Sequence, residues 1–323
     1  MRKRLKQFCG GITFICNDFC NKICKCEYAK ANVFVGRQQY DRYIDHAVIN
    51  KSTYIYNMYP ETDELHREKI QNHAVTYIGS LVPTKGFHVL AAVWKTILKE
   101  VPDATLNVVG NGKLYGRNSK LGKYNIAEDS YEKQFMSGLT DDEGNILPSV
   151  HFWGVLGVEK NDVIRNTCVG VVNPTGRTET FGISALDFES MSVPVVTIAK
   201  GGFLDTVLNE KTGLLYGHTD DFAKDIIMLL KNDKLNEQYG RDGVQLCKKF
   251  TPDKIIKEWN RLFLKVLNDE KMEYIEPDSF METNLKKYRC LNRKIKNAIG
   301  VEYPISVIGA ESFARNVLRR MGK

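Results

Sequence analysis

Between residues 74 and 250 the chain alternates short β-branched apolar runs with longer stretches of helical periodicity. The first run, Val75 to Ile78, stops at a glycine, and apolar residues then recur at helical spacing from Phe87 to Val101. The same pattern predicts further strands at 106–109, 151–154, 170–172 and 194–198, with a helix at 182–191 between the last two. Repeated strand–helix units are typical of a parallel sheet covered by helices on both faces. The sequence therefore predicts an α/β domain here.

A glycine-rich turn follows each predicted strand of this region. The glycines concerned are Gly79, Gly110, Gly112, Gly154, Gly176, Gly182, Gly201 and Gly202. The carboxyl ends of parallel strands lie at one edge of a sheet, and ligands of open α/β sheets bind at that edge. Because glycine lets the backbone approach a ligand closely, these turns predict a crevice for a phosphate or a nucleotide.

Three segments are predicted along the chain. They are residues 1–65, which hold a helix, strands at 31–35 and 53–56 and a helix around 39–48; residues 66–250, the α/β domain; and residues 251–323, a helix with apolar periodicity at 255–267 followed by a basic tail. The charged stretch 61–71 has the composition of a linker, and the polar stretch 117–147 predicts a helix within a long loop.

The composition is that of a soluble globular protein, with 43% apolar and 26% charged residues and no apolar run long enough to span a bilayer. The formal net charge is +7, and the basic excess lies at both ends of the chain. Such ends could lie on an anionic membrane surface, or they could be solvated and bind nothing. Nucleic-acid binding is not expected, because no aromatic platform or groove-reading helix accompanies the charge. No signal peptide is recognised, so we expect a cytoplasmic protein, peripheral at the inner membrane face if the basic ends bind lipid.

Five of the eight cysteines lie near the start of the chain. Cys16, Cys20 and Cys24 are spaced four residues apart, which places them on one helix face close to Ile23. This spacing favours a thiol-lined apolar face. A metal site is the alternative, and it is disfavoured because no Cys-x-x-Cys pair or nearby histidine is present. The pattern is typical of a protein of the reducing cytoplasm.

Candidate ligand-binding residues follow several of the predicted strands. A nucleotide diphosphate is anionic, so its site needs cations, unhindered backbone amides and a helix N-terminus. Lys85 lies in the turn after the first strand, and Gly182 precedes a helix. Glu179 and Asp187 flank the start of that helix, where carboxylates could accept hydrogen bonds from vicinal hydroxyls of a ribose or a hexose. The alternatives are a surface lysine, a helix-capping Glu179 with a solvated Asp187, and a plain loop at 201–202.

Five motifs occur in a fixed order at these strands and turns. They are Tyr77-Ile-Gly-Ser-Leu-Val-Pro-Thr-Lys-Gly86, Val108-Val-Gly-Asn-Gly112, Val150-His-Phe-Trp-Gly154, the stretch 179–196, and Gly201-Gly-Phe-Leu-Asp-Thr-Val-Leu-Asn-Glu-Lys-Thr-Gly-Leu-Leu215. Together they closely resemble the C-terminal half of the family 4 (group 1) glycosyltransferases, over residues 30–270 and most strongly over 74–217. The resemblance implies the GT-B fold, in which two Rossmann-like domains face a cleft. It also implies sugar transfer from a nucleotide donor with retention of anomeric configuration, without a metal ion or other cofactor.

The resemblance assigns roles to individual residues. Glu179 matches the family's first carboxylate, which contacts the donor sugar, and is the implied catalytic residue. Asp187 stands where the family has a second glutamate on the ribose, and it has a shorter reach. Lys85 matches the lysine on the diphosphate, but Ser80 replaces the family's partner arginine, which should weaken donor binding or shift donor choice. Val155 falls where the family's backbone contacts the base.

The remaining implied contacts are made mainly by turn glycines and their neighbours. The full donor-binding set is Gly79, Ser80, Lys85, Gly110, Val155, Thr180, Phe181, Gly182, Ile183, Asp187, Gly201 and Gly202. The pair at 201–202 matches the family's loop for the donor sugar and phosphate, with Asp205 where glutamate is common. No residue is implied as a metal ligand.

The largest departure from the family lies at the front of the chain. The family's acceptor-binding domain is much longer than the stretch before Asn57, so segment 1–65 resembles a truncated remnant of it. We therefore expect a donor-binding half that transfers a sugar to a glycan or lipid-linked acceptor in cell-surface polysaccharide synthesis. The alternatives are a fragment of a longer reading frame, a degenerate copy, and a non-catalytic or split-enzyme subunit completed by a polypeptide that supplies the N-terminal domain. A dehydrogenase is not expected, because Gly-x-Gly-x-x-Gly is absent after the first strand.

Overall fold

The chain divides into two compact units. The terminal unit comprises Met1–Met58 with Pro252–Lys323, and the central unit comprises Tyr59–Thr251. The computed structural model describes residues 9–10, 17–60, 72–112, 120–277 and 285–321. The predicted linker 61–71 and Cys16 lie outside the described residues.

The described strands form two parallel sheets, one in each unit. In chain order the strands are β1 (Cys9–Gly10), β2 (Asn32–Phe34), β3 (Ser52–Tyr54), β4 (Ala74–Ile78), β5 (Thr105–Val109), β6 (Val150–Gly154), β7 (Val169–Val171), β8 (Val195–Ile198) and β9 (Gly213–Tyr216). The terminal unit has the order β1-β2-β3, and the central unit has the order β6-β5-β4-β7-β8-β9. The predicted strands are present to within two residues at each end, and β1 and β9 are additional. The predicted α/β class with a Rossmann-like parallel sheet is confirmed.

Helices connect and flank these strands. Those of the described residues are α1 (Asn17–Lys25), α2 (Arg37–Asp41), α3 (Phe87–Glu100), α4 (Asp129–Met136), α5 (Lys160–Arg165), α6 (Ile183–Glu189), α7 (Phe203–Thr206), α8 (Thr219–Lys231), α9 (Asp233–Cys247), α10 (Pro252–Leu267), α11 (Lys286–Ile299) and α12 (Val307–Arg320). Short 3₁₀ turns occupy Ala47–Lys51 and Pro83–Lys85. Over the described ranges, no helix combines the length and the apolarity that crossing a bilayer requires.

The central sheet is buried on both faces because its strands carry apolar side chains in both directions. On one face Tyr77 of β4 packs in a core with Trp94 of α3, and both are fully buried. On the other face Val195 of β8 packs in a second core with Phe188 of α6. Continuous apolar strands of this kind are what a doubly covered parallel sheet requires.

The order of the central sheet reverses next to its first strand. From β4 the chain adds β5 and β6 on one side, and it then returns to place β7, β8 and β9 on the other side. The loops that follow β4 and β7 therefore leave the sheet in opposite directions. In open α/β sheets this switch point is where ligands bind.

The terminal unit builds two small cores around its three strands. Cys20 and Ile23 of α1 are buried in the first core, which confirms the predicted apolar cysteine face for the described part of that stripe. Val33 of β2 lies in the second core together with Ile255 and Leu262 of α10. Residues 252–321 thus join the first segment in one unit, a grouping that the sequence did not predict.

The predicted helix at 39–48 is wrong in its extent. Helix α2 ends at Asp41, and a separate 3₁₀ turn covers Ala47–Lys51. Between them His46 is extended (φ −96°, ψ 143°), and its Nδ1 accepts the backbone N–H of Val48 at 3.0 Å. The side-chain cap starts a new turn and interrupts the apolar periodicity on which the prediction rested.

A buried carboxyl on α6 makes the stability of the central unit depend on pH. Glu189 is fully buried, its Oε1 accepts the Thr212 hydroxyl at 2.6 Å, and burial raises the pKa of this carboxyl well above its usual range. The folded chain holds this proton more tightly than the unfolded chain, so the stability it contributes is lost as pH rises. We expect Glu189→Gln, which does not titrate, to gain stability relative to wild type between about pH 5 and about pH 8, by at most about 1.4 kcal/mol per pH unit. Urea unfolding at both values measures this gain.

Glu100→Gln is the matched control for this titration. Glu100 is exposed, and its hydrogen bond and ion pair with Lys231 lower the pKa of its carboxyl. The difference in free energy of unfolding between Glu100→Gln and wild type should therefore be constant over the same pH window. Parallel pH profiles for Glu189→Gln and wild type would contradict the assignment of the titrating group.

Candidate functional site

The turn after β4 and the loop after β7 bring a cation and a carboxylate together. Lys85 Nζ lies 2.9 Å from Oε2 of Glu179, although the two residues are 94 positions apart in sequence. Their side chains are 28% and 13% exposed, respectively. Because the pair is partly shielded from water, its attraction exceeds that of a surface ion pair. Asn173 donates from Nδ2 to the same carboxylate oxygen at 3.1 Å.

Glu179 also binds the turn that precedes α6. Its second oxygen, Oε1, accepts the backbone N–H of Gly182 at 3.2 Å. Gly182 adopts a left-handed conformation (φ 87°) before α6 begins at Ile183, a conformation that favours glycine. The amide that the sequence predicted to be open to a phosphate is therefore bonded to Glu179. The capping alternative is wrong in this detail, because Glu179 bonds the residue before the helix and no side-chain hydrogen bond caps α6 in the described structure.

The loop between β7 and α6 is fastened to the Lys85 turn. Thr175 donates from Oγ1 to the carbonyl of Thr84 at 2.8 Å. Gly86, at the start of α3, has a φ of 73°, and a Cβ there would lie 2.8 Å from the backbone nitrogen of Thr175. This close backbone approach, which a side chain would prevent, sets the position of Glu179 relative to Lys85.

Arg177 places a second cation on the same loop. Its side chain is exposed, and its carbonyl accepts a hydrogen bond from Asn173 at 2.9 Å. Burial, with a smaller contribution from the charge of Arg177, lowers the pKa of His88 at the start of α3. The backbone N–H of His88 donates to the hydroxyl of Tyr131 at 3.2 Å, and burial raises the pKa of Tyr131 to about 12. The loop thus places the positive charge of Arg177 near the start of α3.

The glycine pair at 201–202 packs directly on the backbone of this loop. The N–H of Gly202 donates to the carbonyl of Glu179 at 3.2 Å. A Cβ at Gly202 would lie 2.3 Å from the nitrogen of Phe181, and one at Gly201 would lie 2.5 Å from the carbonyl oxygen of Glu179. Gly201 also has a positive φ of 60°. Both positions therefore exclude side chains, for steric reasons that are independent of any ligand.

The glycine turns after β4, β5 and β6 are linked by hydrogen bonds. The N–H of Gly79 donates to the carbonyl of Val109 at 3.1 Å, and that of Gly110 donates to the carbonyl of Gly154 at 2.6 Å. A Cβ at Gly110 would lie 2.1 Å from the carbonyl oxygen of Gly79. The exposed Val155 follows directly. These turns form a continuous rim at the carboxyl edge of the sheet.

Asp187 is held by two partners that the sequence analysis did not single out. Lys160 Nζ lies 2.7 Å from Oδ2, and the hydroxyl of Tyr59 donates to Oδ1 at 3.1 Å. The Tyr59 oxygen is also 3.1 Å from Oγ of Ser190, and burial together with the charge of Asp187 raises the pKa of Tyr59. The side chain of Asp187 is only 17% exposed. It is therefore not the solvated residue of the alternative interpretation.

The other predicted donor-binding residues differ in what they can offer a ligand. Phe181 is buried against Phe250, with ring centroids 5.3 Å apart, so only its backbone is available. Ile183 is 49% exposed. Thr180 and Ser80 are partly buried at the carboxyl edge. The ligand contacts of these four residues stay predictions.

The short helix α6 is thus associated with two lysine–carboxylate pairs. In the first pair, Glu179 lies just before the helix and binds Lys85. In the second pair, Asp187 lies in the second turn of the helix and binds Lys160 of α5. Carboxylates accept hydrogen bonds from hydroxyls, and lysines donate to phosphate or hydroxyl oxygens. The arrangement can bind an anionic ligand that carries hydroxyl groups. In the part of the chain that the structure describes, no group of three or more histidine, cysteine, aspartate or glutamate side chains could hold a metal ion.

Comparisons with known proteins indicate the family. The family model for glycosyl transferases group 1 matches residues 60–245. An uncharacterised glycosyltransferase of Methanocaldococcus jannaschii is 25% identical over 66% of this chain and 53% of its own length. The capsular polysaccharide biosynthesis glycosyltransferase CapM of Staphylococcus aureus is 26% identical over 56% of this chain and 43% of its own length. The chain therefore spans about half the length of these two relatives.

A solved structure supports the fold. HepE of Anabaena, crystallised in complex with UDP and glucose, superposes with a TM-score of 0.59 at 15% identity, covering 78% of this chain and 68% of its own. At this level of identity the similarity concerns the fold alone.

Substitution of Gly202 tests the packing that positions Glu179. Gly202 has an ordinary φ of −63°, so the strain on alanine comes from close contact with the backbone of Thr180 and Phe181, whose nearest atom would lie 2.3 Å from the added Cβ. We expect Gly202→Ala to lower the free energy of unfolding by about 1–3 kcal/mol. Denaturant unfolding of the full chain measures the change.

Gly217→Ala is the matched control, because a Cβ at Gly217 would meet no atom within 4 Å. It should leave the free energy of unfolding within about 0.5 kcal/mol of wild type. Equal stability of the two alanine variants would show that the 201–202 loop can move away from Glu179.

Proposed function

The chain belongs to the group 1 glycosyltransferases, and from that premise we propose that its central unit binds the nucleotide-diphosphate sugar donor of a retaining transfer. The observation that carries the proposal is the pairing of Lys85 with Glu179 at the switch point of the sheet. A switch point is the general ligand site of such sheets. The pair offers a cation for phosphate and a carboxylate for sugar hydroxyls within one small volume.

Lys85 is the proposed contact of the diphosphate. It lies at the end of the 3₁₀ turn Pro83–Lys85, and its ammonium is already directed to the site by Glu179. A bound diphosphate would share that ammonium, and the carboxylate would then accept hydroxyl groups of the donor sugar. In this role Glu179 contacts the reacting sugar and is the proposed catalytic residue.

Asp187 and Lys160 are the proposed contacts of the ribose. The carboxylate accepts from one hydroxyl and the ammonium donates to its neighbour, so that the 2.7 Å pair presents complementary groups to a vicinal diol. Tyr59 fixes the carboxylate from the other side. Because two partners hold the shorter aspartate, its orientation does not depend on the ligand. Retention of the anomeric configuration and independence from metal remain part of the proposal.

The proposed acceptor is a glycan or a lipid-linked glycan of cell-surface polysaccharide synthesis. The support is the name of one relative, the capsular polysaccharide enzyme CapM. Transfer to such an acceptor needs a second wall that positions it and excludes water from the donor. The alternative, a subunit that binds the donor but transfers nothing by itself, shares every donor contact and differs only in turnover. Nucleotide release with and without added glycan acceptors separates the two.

The two carboxylates are expected to respond differently to UDP and UDP-glucose. Glu179→Gln should weaken binding of UDP-glucose by about 10-fold or more relative to binding of UDP, because only the sugar contacts Glu179, whereas loss of the ion pair with Lys85 affects both ligands. Asp187→Asn should weaken the binding of UDP and of UDP-glucose to a similar degree, because both ligands carry the ribose. Isothermal titration of each variant with both ligands gives the comparison.

Asp162→Asn is the control for these titrations. Asp162 is an exposed acid on α5 that pairs with Arg165, and its loss should alter neither affinity. GDP and GDP-mannose serve as a second ligand pair, because the base is part of the test. If wild type binds none of the four nucleotides, the donor-site proposal is wrong. If Glu179→Gln weakens UDP and UDP-glucose equally, the assignment of Glu179 to the sugar is wrong.

Position 80 tests the diphosphate contact by gain of function. Ser80 occupies the position where the family's partner arginine is expected, close to Lys85. An arginine presents a planar pair of donors to a phosphate, so Ser80→Arg should tighten UDP binding by about 10-fold at low salt and less at high salt.

Ser80→Gln has comparable length and no charge, and it should not tighten binding. Equal effects of arginine and glutamine on UDP affinity would show that no phosphate lies within reach of position 80.

A further inference from the structure

Helix α11 has an inverted distribution of polar and apolar side chains. The residues that it buries are basic, namely Lys286, Arg289, Arg293 and Lys296. The residues on its opposite face are apolar and exposed, namely Tyr288 (64%), Leu291 (57%), Ile295 (42%) and Ile299 (61%), and we call them the α11 stripe. A surface helix of a globular protein normally buries its apolar face and exposes its charges. The inversion therefore requires an explanation.

The buried cations are neutralised by carboxylates of the terminal unit. Lys286 Nζ lies 3.1 Å from Oδ2 of Asp41. Arg289 donates to Oε1 of Glu311 at 2.6 Å, and Arg293 is paired with Glu302. A buried cation is tolerated only with such partners.

Backbone carbonyls after α2 complete the binding of α11. Arg289 donates to the carbonyl of Arg42 at 2.8 Å, and Lys296 donates to that of Asp45 at 2.8 Å. Arg293 donates to the carbonyl of His46 at 3.2 Å. Polar contacts therefore hold α11 in the terminal unit, and the α11 stripe is not used for packing there.

Basic side chains border the α11 stripe. Lys287 and Lys294 are exposed on α11 itself. The stretch 285–321 contains nine lysines and arginines against Glu302 and Glu311 alone. An apolar face with an aromatic residue and a cationic border is complementary to an anionic lipid surface, where the apolar groups enter the acyl boundary and the lysines meet the headgroups.

The length of α11 suits a helix that lies in the membrane plane. Its 14 residues span about 21 Å, less than the roughly 30 Å of hydrocarbon that a spanning helix must cross. The end of α12 has the same character, since Phe313 (72%), Leu318 (48%) and Met321 (66%) are exposed there beside Arg315 and Arg320.

We propose that the α11 stripe docks onto an anionic lipid bilayer, with Lys287 and Lys294 contacting the headgroups. The inference rests on the terminal unit and does not depend on the donor site. The sequence analysis considered only a general attraction of the basic chain ends to an anionic membrane, whereas this proposal names a defined apolar face. It therefore predicts that loss of apolar side chains weakens lipid binding even when the charge is unchanged.

Flotation of the full chain with vesicles of phosphatidylcholine containing about 30 mol% phosphatidylglycerol tests the proposal. Wild type should bind these vesicles and bind pure phosphatidylcholine far more weakly. Leu291→Ser with Ile299→Ser should lower the partition coefficient by about tenfold or more. Lys287→Glu with Lys294→Glu should lower it for anionic vesicles, and about 0.5 M NaCl should reduce that difference.

The matched control is Leu264→Ser with Ile256→Ser on α10. These residues are of the same types, lie in the same unit and are 60% and 49% exposed, and their substitution should leave the partition coefficient within about twofold of wild type. Equal thermal melting and equal UDP affinity of all variants establish that they are folded. If the wild type does not bind UDP, the donor-site proposal fails, thermal melting alone serves as the folding control, and the flotation result is unaffected.

Three outcomes would overturn the proposal. Wild type could fail to float with anionic vesicles, or the α10 and α11 variants could lose binding equally. Sedimentation velocity without lipid gives the third: a wild-type dimer that Leu291→Ser with Ile299→Ser converts to monomer would show that a second copy of the chain covers the α11 stripe.

Discussion

The ion pair between Lys85 and Glu179 is the interaction on which the candidate site depends. It joins the turn after β4 to the loop after β7, the strands beside which the order of the sheet reverses. A carboxylate that is only 13% exposed needs a cation, because an uncompensated charge in that position costs several kcal/mol. The same carboxylate accepts the N–H of Gly182 directly before α6, so it also holds the start of the helix that carries Asp187.

Close backbone packing is the condition that lets this pair form. The 201–202 loop lies on the backbone of Glu179 and Phe181 at distances that no Cβ permits. Gly86 meets Thr175 in the same way on the other side. The direct effect of these glycines is therefore on the fold, because they allow three loops to meet at one edge of the sheet. Any effect on a ligand follows from that arrangement. Open access to a phosphate, which the sequence suggested for Gly182, is in fact replaced by a hydrogen bond to Glu179.

The sequence predicted five of the six strands of the central sheet because each of these five is a local apolar run followed by a turn that contains glycine. Lys85 and Glu179 were identified because both lie close in sequence to such glycine-containing turns. Lys160 and Tyr59 carry no local signal: one is a lysine at the start of a helix, and the other lies 128 positions before its partner Asp187. The helix predicted at 39–48 failed because the His46 cap overrides the apolar periodicity. Local sequence pattern thus predicts which edge of the sheet carries the candidate site. The hydrogen-bond and ion-pair partners of each carboxylate depend instead on contacts between residues far apart in sequence.

Net charge is a poor measure of surface charge in this chain, and α11 shows the reason. Four of its six basic residues are buried in ion pairs and carbonyl contacts, and only Lys287 and Lys294 remain exposed. Attraction to a membrane that is inferred from the formal charge alone therefore counts cations that never meet lipid. What α11 offers instead is apolar area, because its cations have taken over the packing that apolar side chains usually provide. A hydrophobic contact scales with buried area, so in the proposed docking the α11 stripe supplies the affinity and the two exposed lysines select anionic lipid.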